Sequence, residues 1–222
     1  VSTVYDCGQP DSRAAGMSAA KNALKAGRLV VLPTDTLYGI GADAFDGDAV
    51  AALLRAKGRG RDMPVPVLVG SWNTIDGLVY SVRPQTRDLI RAFWPGGLSL
   101  VVEQAPSLAW DLGDTRGTVM LRMPLHPVAL ELLRDVGPLA VSSANVSGQP
   151  PATTVEEARE QLGGSAGVYL DGGRAEQGQA STIVDLTGTS PRILREGAVP
   201  TGDVADVLGV KAESLLEGTA TA

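Results

Sequence analysis

Apolar positions in this chain follow two periods that alternate along its length. Between residues 14 and 26 they recur every three to four residues, the spacing that buries one helix face, and the segment closes at Gly27. Residues 28–32 then form a short apolar run halted by Pro33, which reads as a strand. A second helix is predicted over 48–57, with Ala49, Ala52, Leu53 and Ala56 on one face and Gly58 behind it, followed by a strand over 65–69. A helix over 83–93, strands over 98–102 and 118–122, a helix over 127–135 and a strand over 139–141 continue the series. Pro127 suits the start of its helix, where a missing amide costs nothing. A helix over 155–162 and strands over 168–170, 181–186 and 192–194 complete it. This alternation predicts an α/β fold rather than a bundle or sandwich.

The pattern predicts one catalytic-sized domain over 14–200, preceded by a lead-in over 1–13. It is followed by a tail over 201–222 that carries at most a short helix and a frayed Gly-Thr-Ala-Thr-Ala end. The 222 residues, 44% of them apolar, suffice for one substantial core, and no repeat or low-complexity tract divides them. A net charge of −6 opposes a broad basic face for nucleic acid, so any phosphate partner has to meet a local cluster. Cys7 and His126 are single members of their kinds, which excludes an intrachain disulfide and a Cys/His zinc site built by one chain. With no signal-peptide layout at the N-terminus and no membrane-length apolar run, a cytoplasmic protein is expected.

Candidate chemistry sits where strands end, because ligands of open α/β sheets gather beyond the strands' carboxyl ends. Pro33-Thr34-Asp35-Thr36 places two hydroxyls and a carboxylate after the first strand, although the same residues serve ordinary turns. Lys57, Arg59 and Arg61 alternate with Gly58 and Gly60 at a helix end. They read either as a polyphosphate clamp or as cations offsetting the helix dipole. Arg122 ends an apolar strand and therefore needs an anionic partner, either a structural carboxylate or a ligand's carboxylate or phosphate. Ser142, Ser143 and Asn145 follow the strand at 139–141 and bring two hydroxyls and an amide to the same kind of position. Ser181, Thr182 and Arg195 flank later strands and serve either a ligand or the strand ends.

Other patterns are misleading or missing. Gly39-Ile40-Gly41-Ala42-Asp43-Ala44 matches the dinucleotide fingerprint, but six residues separate it from the strand that should feed it, so it is read as a decoy. No Walker A sequence and no Ser/His/Asp arrangement occurs, and His126 beside Pro127 reads as a capping or a surface residue rather than a catalytic one.

Taken in order, these segments resemble the YrdC family of threonylcarbamoyl-adenylate synthases. The likeness runs from about Ala14 to Ala198. It includes 27–39 (Gly-Arg-Leu-Val-Val-Leu-Pro-Thr-Asp-Thr-Leu-Tyr-Gly), Lys57-Gly58-Arg59, Phe93-Trp94-Pro95-Gly96 and Leu121-Arg122-Met123-Pro124. Ser142-Ser143-Ala144-Asn145-Val146-Ser147-Gly148, Ser181-Thr182-Ile183-Val184-Asp185 and Arg195-Glu196-Gly197 continue it. The resemblance implies a twisted, open mixed sheet with flanking helices and a concave basic cavity. It also implies a nucleotidyltransferase that joins L-threonine, bicarbonate and ATP, with Mg²⁺ accompanying the ATP, to give threonylcarbamoyl-AMP and pyrophosphate. The product feeds a downstream tRNA threonylcarbamoyl transferase machinery, and weak RNA contact is a further implication. By the same resemblance Lys57, Arg59, Met63, Thr118, Ala144, Asn145, Ala152 and Arg195 serve ATP, while Thr36, Arg122, Ser142 and Ser143 serve threonine. Lys57, Arg59 and Arg122 are expected to carry the catalysis, and no residue is assigned to a metal.

The chain departs from the family pattern at Gly60, Gly97, Ser99 and Leu68, the last standing where some members have histidine. Arg61 is not a fixed part of that pattern and reads as a supplementary contact or a solvated neighbour. The length predicts a single-domain form, without the additional C-terminal domain of longer members.

Overall fold

The computed structural model describes residues 2–216. Ten strands form one mixed sheet in the order β1-β8-β2-β3-β7-β4-β6-β5-β9-β10. The strands are β1 (Thr3–Asp6), β2 (Val30–Leu32), β3 (Gly39–Asp43), β4 (Val67–Leu68), β5 (Leu98–Glu103), β6 (Thr118–Arg122), β7 (Leu139–Ser143), β8 (Val168–Asp171), β9 (Thr182–Asp185) and β10 (Arg192–Arg195). Helices α1 (Pro10–Lys25), α2 (Gly47–Lys57), α3 (Ile75–Leu78), α4 (Pro84–Phe93), α5 (Pro127–Val136), α6 (Val155–Leu162), α7 (Thr201–Leu208) and α8 (Ala212–Leu216) complete the fold. The expected α/β class and open mixed sheet are what the chain adopts.

Local chemistry explains most boundaries. Pro10 opens α1 four residues earlier than the periodicity implied, because proline's fixed φ suits a first helical turn. Asp46 caps α2 by accepting from the amides of Asp48 and Ala49, and Gly58 closes it in the left-handed region at φ 64°. His126 caps α5 through Nδ1, which accepts from the Val128 amide, so of its two expected roles the cap is the one observed.

Two apolar layers cover the sheet unequally. On one face α2, α4, α6, α7 and α8 pack over Val31, Ile40, Val67, Leu100, Leu121, Tyr169 and Val184. On the other, α1 and α5 cover Val30, Leu32, Leu68, Leu139, Val141, Val168 and Leu170. That second layer stops near β4. Beyond it the same face of β6 and β5 carries Met120, Val101 and Glu103, which stay partly or fully exposed, and this leaves a concave surface.

The fingerprint-like segment read as a decoy contains β3, a strand the apolar pattern did not reveal, which lies between β2 and β7. Its glycines hid the strand pattern. They are required by β7, since a Cβ on Gly39 would come within 2.5 Å of Val141 Cγ1 and one on Gly41 within 3.1 Å of Cγ2. The boundaries at 14 and 200 also differ from those of the packed unit. The supposed lead-in contributes β1, paired in parallel with β8, and the supposed tail contributes α7 and α8, whose Val204 and Leu215 are fully buried in the main core. The reading of Gly218–Ala222 as frayed lies outside the described residues.

The Gly39–Val141 packing yields a prediction. Gly39→Ala overpacks the sheet and lowers the free energy of unfolding by about 1–3 kcal/mol, measured by urea denaturation. Adding Val141→Ala to that variant recovers part of the loss.

Candidate active site

The uncovered face opens into a cavity of about 360 Å³ where several strand ends converge. The loop after β2 supplies Thr34, Thr36 and Tyr38; the end of β6 supplies Arg122; the end of β7 supplies Ser142, Ser143 and Asn145. Ser99, at the start of β5, and Ser181, just before β9, form the floor with Oγ atoms 2.9 Å apart. Arg59 and Arg195 complete a lining that, among the described residues, contains three guanidinium groups and no Asp or Glu. Leu68, Met120, Val141 and Ile183 make the apolar wall.

Arg122 is the most constrained cation. It is buried, and each of its nitrogens has a protein partner: Nε donates to Gly96 O at 2.8 Å, Nη1 to Thr36 Oγ1 at 2.7 Å and Nη2 to Asp35 Oδ1 at 2.5 Å. The structural carboxylate that its burial required is therefore Asp35, itself buried and also accepting from the Leu125 amide. Burial pulls the Arg122 pKa below its ordinary value while Asp35 works against that shift, so the guanidinium keeps its charge. A guanidinium has five N–H groups, and the three bonds leave one on each Nη uncommitted.

Arg59 and Arg195 differ from Arg122 in having no carboxylate partner among the described residues. Arg59 Nε donates to Ser147 Oγ at 2.8 Å. Arg195 donates to the Ser181 carbonyl through Nε and Nη2, and burial lowers its pKa with no acid to oppose it. Their charge is thus available to an anion in the cavity.

Lys57 occupies a different place from the one expected. It is buried and outside the lining. Its ammonium donates to Ser143 O, Asn145 O and Asn145 Oδ1 at 2.5, 2.5 and 2.6 Å, so it braces the loop behind the cavity. Desolvation, reinforced by Arg59, lowers its pKa to about 7, while the three acceptors favour the protonated form.

Of the remaining expected residues, Thr36, Ser142, Ser143 and Asn145 reach the cavity, whereas Met63, Thr118, Ala144 and Ala152 do not line it. Met63 is exposed on the loop beside Pro64. Thr118 shares Arg122's face of β6 but lies two strand repeats away, and its hydroxyl donates to Thr115 O. Ala144 and Ala152 are buried and clamp Tyr38 through backbone hydrogen bonds of 2.8 and 3.0 Å. Arg61 points away from the cavity lining and pairs with Asp111 and Asp114 on the surface. Sequence reasoning missed Ser99 and Met120. A lone polar residue inside Leu98-Ser99-Leu100, and the period of two counted back from Arg122, were the available signals.

The Lys57 environment predicts its titration. The folded pKa of about 7 lies below the unfolded 10.5, so the unfolded chain binds more protons between those values. The contribution of this group to stability therefore rises with pH across that window. The Lys57 Cε resonance should titrate near neutrality, and the stability slope should vanish in Lys57→Met; a midpoint near that of exposed lysines would contradict this.

The Sua5/YciO/YrdC family model, described as "Telomere recombination", matches residues 22–197. A Mycobacterium tuberculosis relative, provisionally named a threonylcarbamoyl-AMP synthase, is 69% identical over 211 residues, covering 95% of this chain and 97% of its own. The Pyrococcus abyssi threonylcarbamoyl-AMP synthase is 35% identical over 191 residues, covering 86% of this chain and 56% of its own. The crystal structure of P. abyssi Sua5 complexed with L-threonine superposes with a TM-score of 0.84 at 34% identity, covering 87% of this chain and 57% of that one. Escherichia coli YciO shares the fold, with a TM-score of 0.80 at 22% identity over 90% of this chain and 98% of its own. The chain belongs to the Sua5/YciO/YrdC family.

Proposed function

We propose that this chain is a threonylcarbamoyl-AMP synthase, a nucleotidyltransferase that makes threonylcarbamoyl-AMP and pyrophosphate from L-threonine, bicarbonate and ATP. The observation that carries this reading is the pairing of the Thr36–Arg122 corner with two unpaired arginines in one cavity lined by hydroxyls. Arg122 offers two N–H groups to the threonine carboxylate, and Ser142, Ser143, Ser99 and Ser181 surround the remaining volume with groups able to orient an amino acid. The threonylcarbamoyl-AMP synthase names among relatives of this chain support the same assignment.

The reaction needs orientation more than covalent chemistry. Threonine's amine takes up the carbon of bicarbonate with loss of water, and an oxygen of the resulting carbamate attacks the α-phosphorus, expelling pyrophosphate. Holding both reactants in one small cavity makes these steps effectively intramolecular. Arg59 and Arg195, with Asn145 between the hydroxyls, oppose the charge that develops on the leaving phosphates. Among the described residues no Asp or Glu lines the cavity, so Mg²⁺ would come as the ATP complex, and the hydroxyl and amide oxygens of the lining would be the protein groups able to hold it, where it would offset the charge of the phosphates. Lys57 acts through the loop it braces at Ser143 and Asn145. The product would pass to a tRNA threonylcarbamoyl transferase in the cytoplasm; among the described residues no helix is long and apolar enough to cross a membrane.

The test is pyrophosphate release from purified protein given ATP, Mg²⁺, bicarbonate and each amino acid in turn. Release that requires both threonine and bicarbonate is expected, and release indifferent to threonine would sink the assignment. Arg59→Ala should lower kcat by on the order of 100-fold without loss of fold. Arg122→Lys should raise the threonine KM by about 10–100-fold, since an ammonium cannot satisfy Gly96, Thr36, Asp35 and a substrate carboxylate together.

A further inference from the structure

Of the cations at 57, 59 and 61, Arg61 alone neither lines the cavity nor braces the loop behind it. Its neighbours give it a role all the same. Arg59 reaches the cavity from a segment with glycine on both sides, and Gly58 sits in the left-handed region at φ 64°. One end of that segment is fixed, since the Arg59 amide donates to Leu54 O at 2.9 Å where α2 closes. At the other end Arg61 supplies the attachment. Its Nη1 and Nη2 donate to Asp111 Oδ2 and Oδ1 at 2.9 and 2.7 Å, and its Nε lies 3.4 Å from Asp114 Oδ1. Its carbonyl accepts from the Asp114 amide at 2.7 Å.

The turn over 111–114 is anchored on its own account. Leu112 is buried in the main core, and its carbonyl accepts from the Val65 amide at 3.0 Å. Gly113, at φ 101°, allows a close approach: a Cβ there would come within 2.8 Å of Arg61 O and 3.3 Å of the Cα of Pro64. Pro64 lines the cavity, so the turn backs directly onto the wall that carries Arg59. A single exposed ion pair contributes little. A bidentate guanidinium–carboxylate contact joined by a second acid is the geometry in which exposed pairs do hold.

We infer that Arg61 is a positioning residue for the reaction: with Asp111 and Asp114 it clamps the 59–64 segment to the core-anchored turn. Arg59 is thereby in place before the polyphosphate arrives, and binding avoids the cost of ordering the loop. The Arg61 side chain acts away from the ligand, because each of its three nitrogens lies on a carboxylate. The inference rests on the ATP reading above and goes beyond it by giving a surface ion-pair network a part in nucleotide affinity.

The test is the KM for ATP in the full chain and in Arg61→Ala and Asp111→Ala, with amide hydrogen exchange followed in the same proteins. A clamp makes the two substitutions act alike. Each raises the ATP KM about fivefold, the upper range for one exposed pair, with kcat within about twofold and the threonine KM unchanged. The double variant is no worse than either single one, because both remove the same contact. A direct contact between Arg61 and phosphate predicts the opposite sign at Asp111, since losing the acid frees the guanidinium and lowers the ATP KM. Mere neutralisation of the two acids by Arg61 predicts that lowering as well. A lowered or unchanged ATP KM in Asp111→Ala therefore overturns the inference, as does a double variant that shows the product of the single losses. The Asp114 and Val65 amides, which bond across the clamp, should exchange faster in both variants, and wild-type exchange rates overturn it too. A wild-type chain that binds no ATP sinks the nucleotide reading instead, and exchange at those two amides then decides the clamp by itself.

Discussion

The buried ion pair between Asp35 and Arg122 is the contact on which the rest of the cavity depends. In the sheet, β3, β7 and β4 separate β2 from β6, and the loop after β2 crosses that span to place Asp35 against the end of β6. Two charges taken from water are costly to bury, and removing either partner of such a pair costs about 3–5 kcal/mol. The fold therefore cannot form its core around β6 without bringing the 33–38 loop to it. The same loop carries Thr34, Thr36 and Tyr38 into the lining, so one electrostatic requirement positions several polar groups at once.

A second buried cation works in the same way on the opposite wall. Lys57 ends α2 and holds the carbonyls of Ser143 and Asn145, while its own carbonyl accepts from the Ser147 amide and Arg59 reaches Ser147 Oγ. Two chain segments, each irregular and rich in small residues, are thereby fastened to each other. Between the walls lies β3, whose glycines let Val141 of β7 pack tightly against it. Among the described residues the guanidiniums of Arg59 and Arg195 have no acid partners, which keeps their charge available to a ligand.

The helices were legible because their apolar spacing and their caps agree: Gly27, Gly58 and Pro127 stand where the backbone needs them. β1 and β3 were not. β1 is a four-residue strand with no fully buried position, and in β3 glycine replaces the β-branched residues that mark a strand. The helices α7 and α8 were hidden for a similar reason, since each is short and gains its stability by packing, α7 against α4 and α8 against β10, rather than from its own sequence.

What the sequence by itself determined is the kind of chemistry: hydroxyls, an amide and arginines at strand ends, no usable cysteine or histidine, and an acid balance that confines phosphate binding to a local cluster. That follows because residue types and their distance from apolar runs are local properties. Only the tertiary structure decided which of those groups meet. It gave Arg122 an internal counter-ion in Asp35, turned Lys57 inward to brace a loop, paired Arg61 with surface acids, and left Arg59 and Arg195 facing the cavity. A charge's role depends on the partner it finds across the fold, and Arg122's partner lies 87 residues away in the chain.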